Sequence, residues 1–170
     1  YLLLIIISFF ISFIAVNIHH ANEDYEILTI YSNYNFTALE KETLKENIED
    51  SILELEVYYD KDLDSTRMST TGFMISDIFI LKKEVMEQVV NNSNVFLDLS
   101  NKDELSEYYD NSLNKYALKI KEEANFYSVF NAKEEYYILI NNTSTNIGKY
   151  GEEKEHQEVF SRINYLIAED

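Results

Sequence analysis

Cysteine, proline and tryptophan are absent from the 170 residues, and there are only three glycines. Without cysteine there is no disulfide, no thiolate metal site, no thiol nucleophile and no lipid-modified cysteine anchor. The fold must hold on its apolar core alone, and about 150 residues beyond the N-terminal segment suffice for one domain. Three glycines leave little room for a phosphate-cradling loop or a dinucleotide fingerprint, and neither motif is present. A Gly-x-Ser-x-Gly elbow and a His-Glu-x-x-His zinc motif are likewise missing. The three histidines, His19, His20 and His156, are read as solvated. The missing proline and tryptophan, beside abundant Asn, Ile, Lys and Tyr, reflect an AT-rich coding bias and carry no structural weight.

Positive charge is also scarce. The net charge is −17, and no Lys or Arg precedes Lys41. Such a chain repels nucleic acid and anionic membrane surfaces. Its ordinary consequence is solubility; its sharper one is attraction for cations or a basic partner. Residues Tyr1 to Ile18 form an uncharged apolar run broken only by Ser8, Ser12 and Asn17. That is at the lower edge of a spanning helix, which needs about 20 residues. The flank His19-His20-Ala21 fits a signal-peptide cleavage site poorly. The expectation is an uncleaved N-terminal transmembrane anchor over residues 1–20. It leaves residues 21–170 extracytoplasmic, because the cationic residues that mark the inner side are missing before Lys41.

The pattern that follows alternates strands and helices. Glu26 to Tyr31 reads as a strand. Thr37-x-x-Glu40 is a capping box that opens a helix with Leu44 and Ile48 on one face. Leu53 to Tyr59 alternates as a half-buried strand. A short helix is expected over Asp64 to Thr71, stopping near Gly72. Asp77 to Leu81 is a continuous apolar strand of the kind found inside covered parallel sheets. Val85, Met86, Val89 and Val90 lie at helical spacing. Further on, Ser100 is a candidate helix cap, Tyr116 to Ile120 and Tyr136 to Ile140 read as strands, and Val159 to Ile167 as an amphipathic helix. The order predicts an α/β fold with a mostly parallel central sheet and helices on both faces.

Several stretches, taken in order, resemble bacterial extracellular solute-binding proteins of the sugar-binding type. Ile27-Leu28-Thr29-Ile30-Tyr31-Ser32-Asn33 resembles the opening strand and first cleft loop of that family. Leu55 to Tyr59 resembles its second strand. Thr70 to Leu81 resembles a small-residue turn and third strand. Tyr136 to Asn141 and Phe160 to Leu166 resemble its late strand and closing helix. The family has two lobes, and the stretch Asn101 to Glu135 is too short to hold the second. The resemblance therefore implies one three-layer lobe with a short bypass. A ligand buried between closing lobes is excluded for this chain by itself.

In open parallel sheets, ligands sit beyond the carboxyl ends of the strands. That edge is expected to gather Ser32, Asn33, Tyr34, Tyr58, Asp60, Thr70, Thr71, Gly72 and Lys82, with Asn141 after the late strand. Polar loops and tyrosine rings suit a sugar or a peptide. Asp60-Lys61-Asp62-Leu63-Asp64-Ser65 begins like a calcium loop. It lacks the turn glycine at Ser65 and the bidentate glutamate at Thr71, so no metal site is assigned. No cofactor is expected. Asn35, Asn91 and Asn141 open glycosylation sequons of the sort an Asn-rich chain produces by chance.

The function expected from these features is non-catalytic. It is a single-pass cell-membrane protein whose extracytoplasmic domain resembles a solute-binding lobe and works beside an ABC-type transporter permease or another membrane protein. The alternative is a ligand-free docking module, with Tyr108, Tyr109, Phe126, Tyr127 and Phe130 as a candidate apolar patch. A hydrolase built from dispersed carboxylates ranks last.

Overall fold

The computed structural model describes residues 6–12, 27–48, 54–62, 71–91, 94–100, 114–142 and 165–167. Five strands form one mixed sheet: β1 (Ile27–Ser32), β2 (Glu54–Tyr59), β3 (Ile78–Lys82), β4 (Ala117–Lys119) and β5 (Tyr136–Ile140). Their spatial order is β2-β1-β3-β5-β4. β1 is parallel to both β2 and β3, while β5 runs antiparallel to both β3 and β4. The helices set among them are α1 (Ala38–Asn47), α2 (Thr71–Ile75), α3 (Lys83–Val89) and α4 (Asn125–Phe130).

The period-two alternation of the strands divides the core into two layers. On one face Leu28, Ile30, Ile78, Ile80, Leu118, Ile138 and Ile140 meet Leu44 and Ile48 of the α1 turn, and Phe126 and Phe130 of α4. On the other, Tyr31, Phe79, Leu81, Tyr137 and Leu139 meet Phe73 of α2 and Met86 and Val89 of α3. The β1–α1–β2 and β2–α2–β3 crossovers move in opposite directions along the sheet. Equal handedness then puts their helices on opposite faces, which is where α1 and α2 pack.

Local chemistry accounts for the element boundaries. Thr37 Oγ1 accepts from the Glu40 N–H at 3.3 Å, and Glu40 Oε2 accepts from the Thr37 N–H at 2.7 Å, closing the predicted capping box. α4 stops at Asn131, whose φ of 52° is left-handed, a conformation asparagine tolerates well. Tyr165–Ile167 is helical, with Leu166 and Ile167 buried on the α1 face, as the amphipathic pattern required.

Three expectations need correction. The helix expected over Asp64 to Thr71 falls largely outside the described residues, and Gly72 does not end a helix, since α2 spans Thr71–Ile75. Gly72 is a weak helix former, but the adjacent Phe73 ring packs 4.6 Å from Phe79 and 5.5 Å from Tyr31, and that burial decides the local structure. The strand at Tyr136–Ile140 exists but is reversed relative to β3. β5 pairs antiparallel with both β3 and β4, and its run Tyr136-Tyr137-Ile138-Leu139-Ile140 is apolar in either direction, so the sequence pattern does not set its sense. Phe126 and Phe130 are buried rather than forming an outer patch. Tyr108 and Tyr109 lie outside the described residues, as do Ser100's expected helix and residues 63–70.

Near the N-terminus, residues 6–12 are helical with exposed Ile6, Ile7, Phe9, Phe10 and Ile11. Among the described residues, no helix is long and apolar enough to cross a membrane.

Replacing Phe79, fully buried at the centre of the aromatic cluster, by alanine is expected to destabilise the fold by about 3–5 kcal/mol. Leu39→Ala, at a side chain 72% exposed on α1, is expected to stay within about 0.5 kcal/mol. Urea unfolding of both variants checks the contrast. A second expectation concerns acid. Lys115 Nζ bonds Asp98 Oδ2 at 2.8 Å, and Ser100 donates to the same carboxylate, holding Asp98 down to about 2. A depressed folded pKa adds stability above the ordinary aspartate range that is lost as pH falls toward 2. Asp98→Asn is therefore expected to be less stable than the parent at pH 6, with the gap closing toward pH 2 in paired acid melts.

Candidate functional site

The carboxyl edge of β1, β2 and β3 has two halves of different character. On the β1–β2 side most polar groups bond to one another or to the backbone. Ser32 Oγ donates to the Ile80 carbonyl at 3.2 Å and accepts from the Tyr34 N–H at 2.9 Å. Asn33 Nδ2 donates to the Asp60 carbonyl at 2.6 Å. Tyr31 donates its hydroxyl to Asp60 Oδ2 at 2.9 Å, and the Asp62 N–H occupies Asp60 Oδ1 at 2.9 Å. Both Asp60 oxygens thus serve a turn rather than a cation. No group of three or more His, Cys, Asp or Glu side chains suited to a metal occurs among the described residues.

Tyr34 is half-buried, its hydroxyl 2.7 Å from Glu40 Oε1 and in contact with the Phe130 carbonyl oxygen. Burial, and then the Glu40 carboxylate, push its ionisation well above the ordinary tyrosine value, so it stays a neutral strut between α1 and α4. Tyr58 lays its ring against Gly72, where an added Cβ would sit 3.2 Å from the ring. The backbone at Gly72 is thereby covered on that side. Asn33 Oδ1 is buried with no partner among the described residues. Thr71 opens α2, and Thr70 lies outside the described residues.

Asn141 is a clear misplacement by the sequence reading. Because β5 is reversed, its end lies at the amino edge of β3, opposite the other candidates. There Asn141 is 2% exposed and its Nδ2 donates to the Ser76 and Met74 carbonyls at 2.8 and 3.3 Å. Its backbone N–H donates to the Asp77 carbonyl, and Asp77 Oδ2 accepts from the Thr29 N–H, both at 2.9 Å. This is a structural clasp on the α2–β3 junction, and its burial also removes Asn141 as an exposed sequon.

The same reversal brings the start of β5 to the carboxyl edge. Lys82, the one sequence candidate that reaches this half, pairs with Glu134. Glu135 receives Lys83 at 3.5 Å and Lys119 at 3.4 Å, and accepts the Tyr137 hydroxyl at 2.5 Å. The Tyr137 bond, opposed by burial and helped by the two ammonium groups, holds the Glu135 carboxyl below its ordinary value.

Beside this cluster is a cleft of about 290 Å³ lined by Lys119, Ile120, Glu122, Tyr127, Ala132, Lys133, Glu134 and Glu135. It opens where β4 leaves the sheet. An antiparallel hydrogen-bonded pair normally exchanges two backbone bonds. Ile120 still donates to the Tyr136 carbonyl at 3.1 Å, but the Tyr136 N–H donates to the Tyr127 hydroxyl at 3.0 Å. A side chain thus replaces the next rung of the ladder, and the gap beside it is the cleft. Burial raises the Tyr127 pKa, so the hydroxyl keeps its proton. No acceptor for that proton occurs among the described residues.

Of the expected ligand-binding residues only Lys82, which pairs with lining Glu134, adjoins this cleft; Tyr127, expected as part of an apolar docking patch, lines it. One signal was available: in a strongly acidic chain, Lys82, Lys83, Lys119, Lys121 and Lys133 all fall near strand ends on this edge. No protein-family model, curated protein or solved structure matches the chain.

Asn141→Ala strands the buried Ser76 carbonyl and is expected to cost about 1–3 kcal/mol. Tyr127→Phe strands the Tyr136 N–H and is expected to cost a similar amount, about 1–3 kcal/mol. Chemical denaturation measures both, and hydrogen exchange at Tyr136 should accelerate only in the second.

Proposed function

We propose that the chain is a non-catalytic binding module, tethered to the cell membrane through residues 1–18, with its α/β domain outside the cytoplasm. In this reading it takes a small polar ligand and presents it to a membrane partner such as a transporter permease. The observation that carries the binding part is the cleft of about 290 Å³ between the end of β4 and the start of β5. The resemblance to one lobe of a solute-binding protein supports the same choice, as does a parallel β2-β1-β3 core covered by helices on both faces. The tether rests on the apolar run of residues 1–18 and on the exposed apolar side chains of residues 6–12.

The size of the cleft limits the ligand. Drug-sized sites run from about 300 Å³ upward, so a volume of about 290 Å³ admits a monomeric ligand and not a long oligosaccharide. The competing reading, a docking module without ligand, draws on the exposed apolar pair Met74 and Ile75 at 53% and 50% on α2.

Thermal unfolding of the full chain in mild detergent, against monosaccharides, disaccharides, amino acids, dipeptides and calcium, separates the two. A ligand at a hundredfold excess over its dissociation constant adds about 2.7 kcal/mol, on the order of 5–10 °C for a chain of this size. A saturable upward shift with one class is expected. A cooperative melt that no compound moves counts against the binder and favours the docking module.

A further inference from the structure

The chemistry of the cleft narrows the ligand further, on the premise that this edge is the binding site. Of the charged side chains that line it, Glu134, Glu135 and Lys119 are committed to ion pairs within the edge. Lys133 and Glu122 are not: neither has an ion-pair partner among the described residues, and both are exposed at the cleft. Tyr127 lines the same cleft, and its hydroxyl accepts the Tyr136 N–H and keeps its own proton for an acceptor. The remaining apolar surface is that of the half-buried Ala132. The cleft therefore offers an uncommitted cation, an uncommitted anion, one oriented neutral donor and a short apolar contact.

A neutral sugar uses this set poorly. It would leave the ammonium and the carboxylate without charged partners, and only one aromatic ring is available for stacking. Charge-assisted hydrogen bonds are about twice as strong as neutral ones, so a ligand carrying both charges gains most. The net charge of −17 sharpens the point. An anionic group is repelled by the chain as a whole, and Lys133, without an ion-pair partner among the described residues, gives a local exception at the cleft.

We infer that the cleft between β4, β5 and α4 binds a small zwitterion with an α-amino-acid head group. The ligand carboxylate meets Lys133 and the Tyr127 hydroxyl, its ammonium meets Glu122, and a short side chain rests against Ala132. The volume holds a single amino acid or the smallest dipeptides. Blocked termini are excluded by loss of charge.

Isothermal titration of the full chain in mild detergent tests this with alanine, dialanine, N-acetylalanine amide and glucose as probes. Alanine or dialanine is expected to bind saturably, and the blocked N-acetylalanine amide at least about tenfold more weakly, one charged contact's worth. Lys133→Ala and Glu122→Gln, both at exposed side chains that carry no structural bond among the described residues, are each expected to lose about tenfold in affinity. Their melting temperatures without ligand should stay at the parent value. Equal binding of blocked and free alanine, or parent affinity in both variants, overturns the inference. Saturable binding of glucose alone, unaffected by either variant, overturns the zwitterion but leaves a ligand-binding edge standing. Binding of none of the probes, together with no shift in the wider thermal panel, overturns both.

Discussion

The antiparallel insertion of β5 between β3 and β4 is the constraint from which the rest of the structure follows. β3 is buried on both faces, and its backbone must be paired on both sides. β1 satisfies one side in parallel and β5 the other in reverse. That single choice of direction sends Asn141 to the amino edge, where it ties the α2–β3 junction. It also delivers Glu134 and Glu135 to the carboxyl edge, where they meet Lys82, Lys83 and Lys119. Had β5 run parallel, the carboxylates and the asparagine would have changed places.

The two faces of the sheet are held by different aromatic groups. Phe73, Phe79, Phe96 and Tyr31 interlock on one side, and Tyr34, Phe36, Phe126, Phe130 and Tyr136 on the other. Edge-to-face rings pack densely without cysteine cross-links, each pair adding about 0.5–1.5 kcal/mol beyond its burial. A chain with no disulfide places its stability in these contacts, while its ion pairs lie on the surface and contribute little.

That division of labour leaves one half of the carboxyl edge closed and the other open. In the β1–β2 half Ser32, Asn33 Nδ2 and Asp60 bond to backbone and to one another, leaving Asn33 Oδ1 buried with no partner among the described residues. At the β4–β5 half, β4 is only three residues long and Tyr127 completes the ladder in its place. A short strand patched by a side chain is what creates a concave surface there, and the charged ends of the neighbouring strands give it its chemistry.

Periodicity and capping determined the elements that depend on near neighbours. The capping box at Thr37 and Glu40, the alternation of β1 and β2, the apolar run of β3 and the Met86–Val89 face of α3 were all legible in the sequence. Each follows from spacing along the chain, and the parallel β2-β1-β3 core follows from their order. Three things were not legible. Gly72 reads locally as a helix stop, yet Phe73 buried against Tyr31 and Phe79 makes that segment helical. The run Tyr136-Tyr137-Ile138-Leu139-Ile140 is equally apolar in either direction, so nothing in it states which way β5 points. Likewise, Tyr127 carries no local mark of its bond to Tyr136, nine positions away. Direction and pairing are properties of contacts between segments, and only the tertiary structure could decide which side of the sheet became a site.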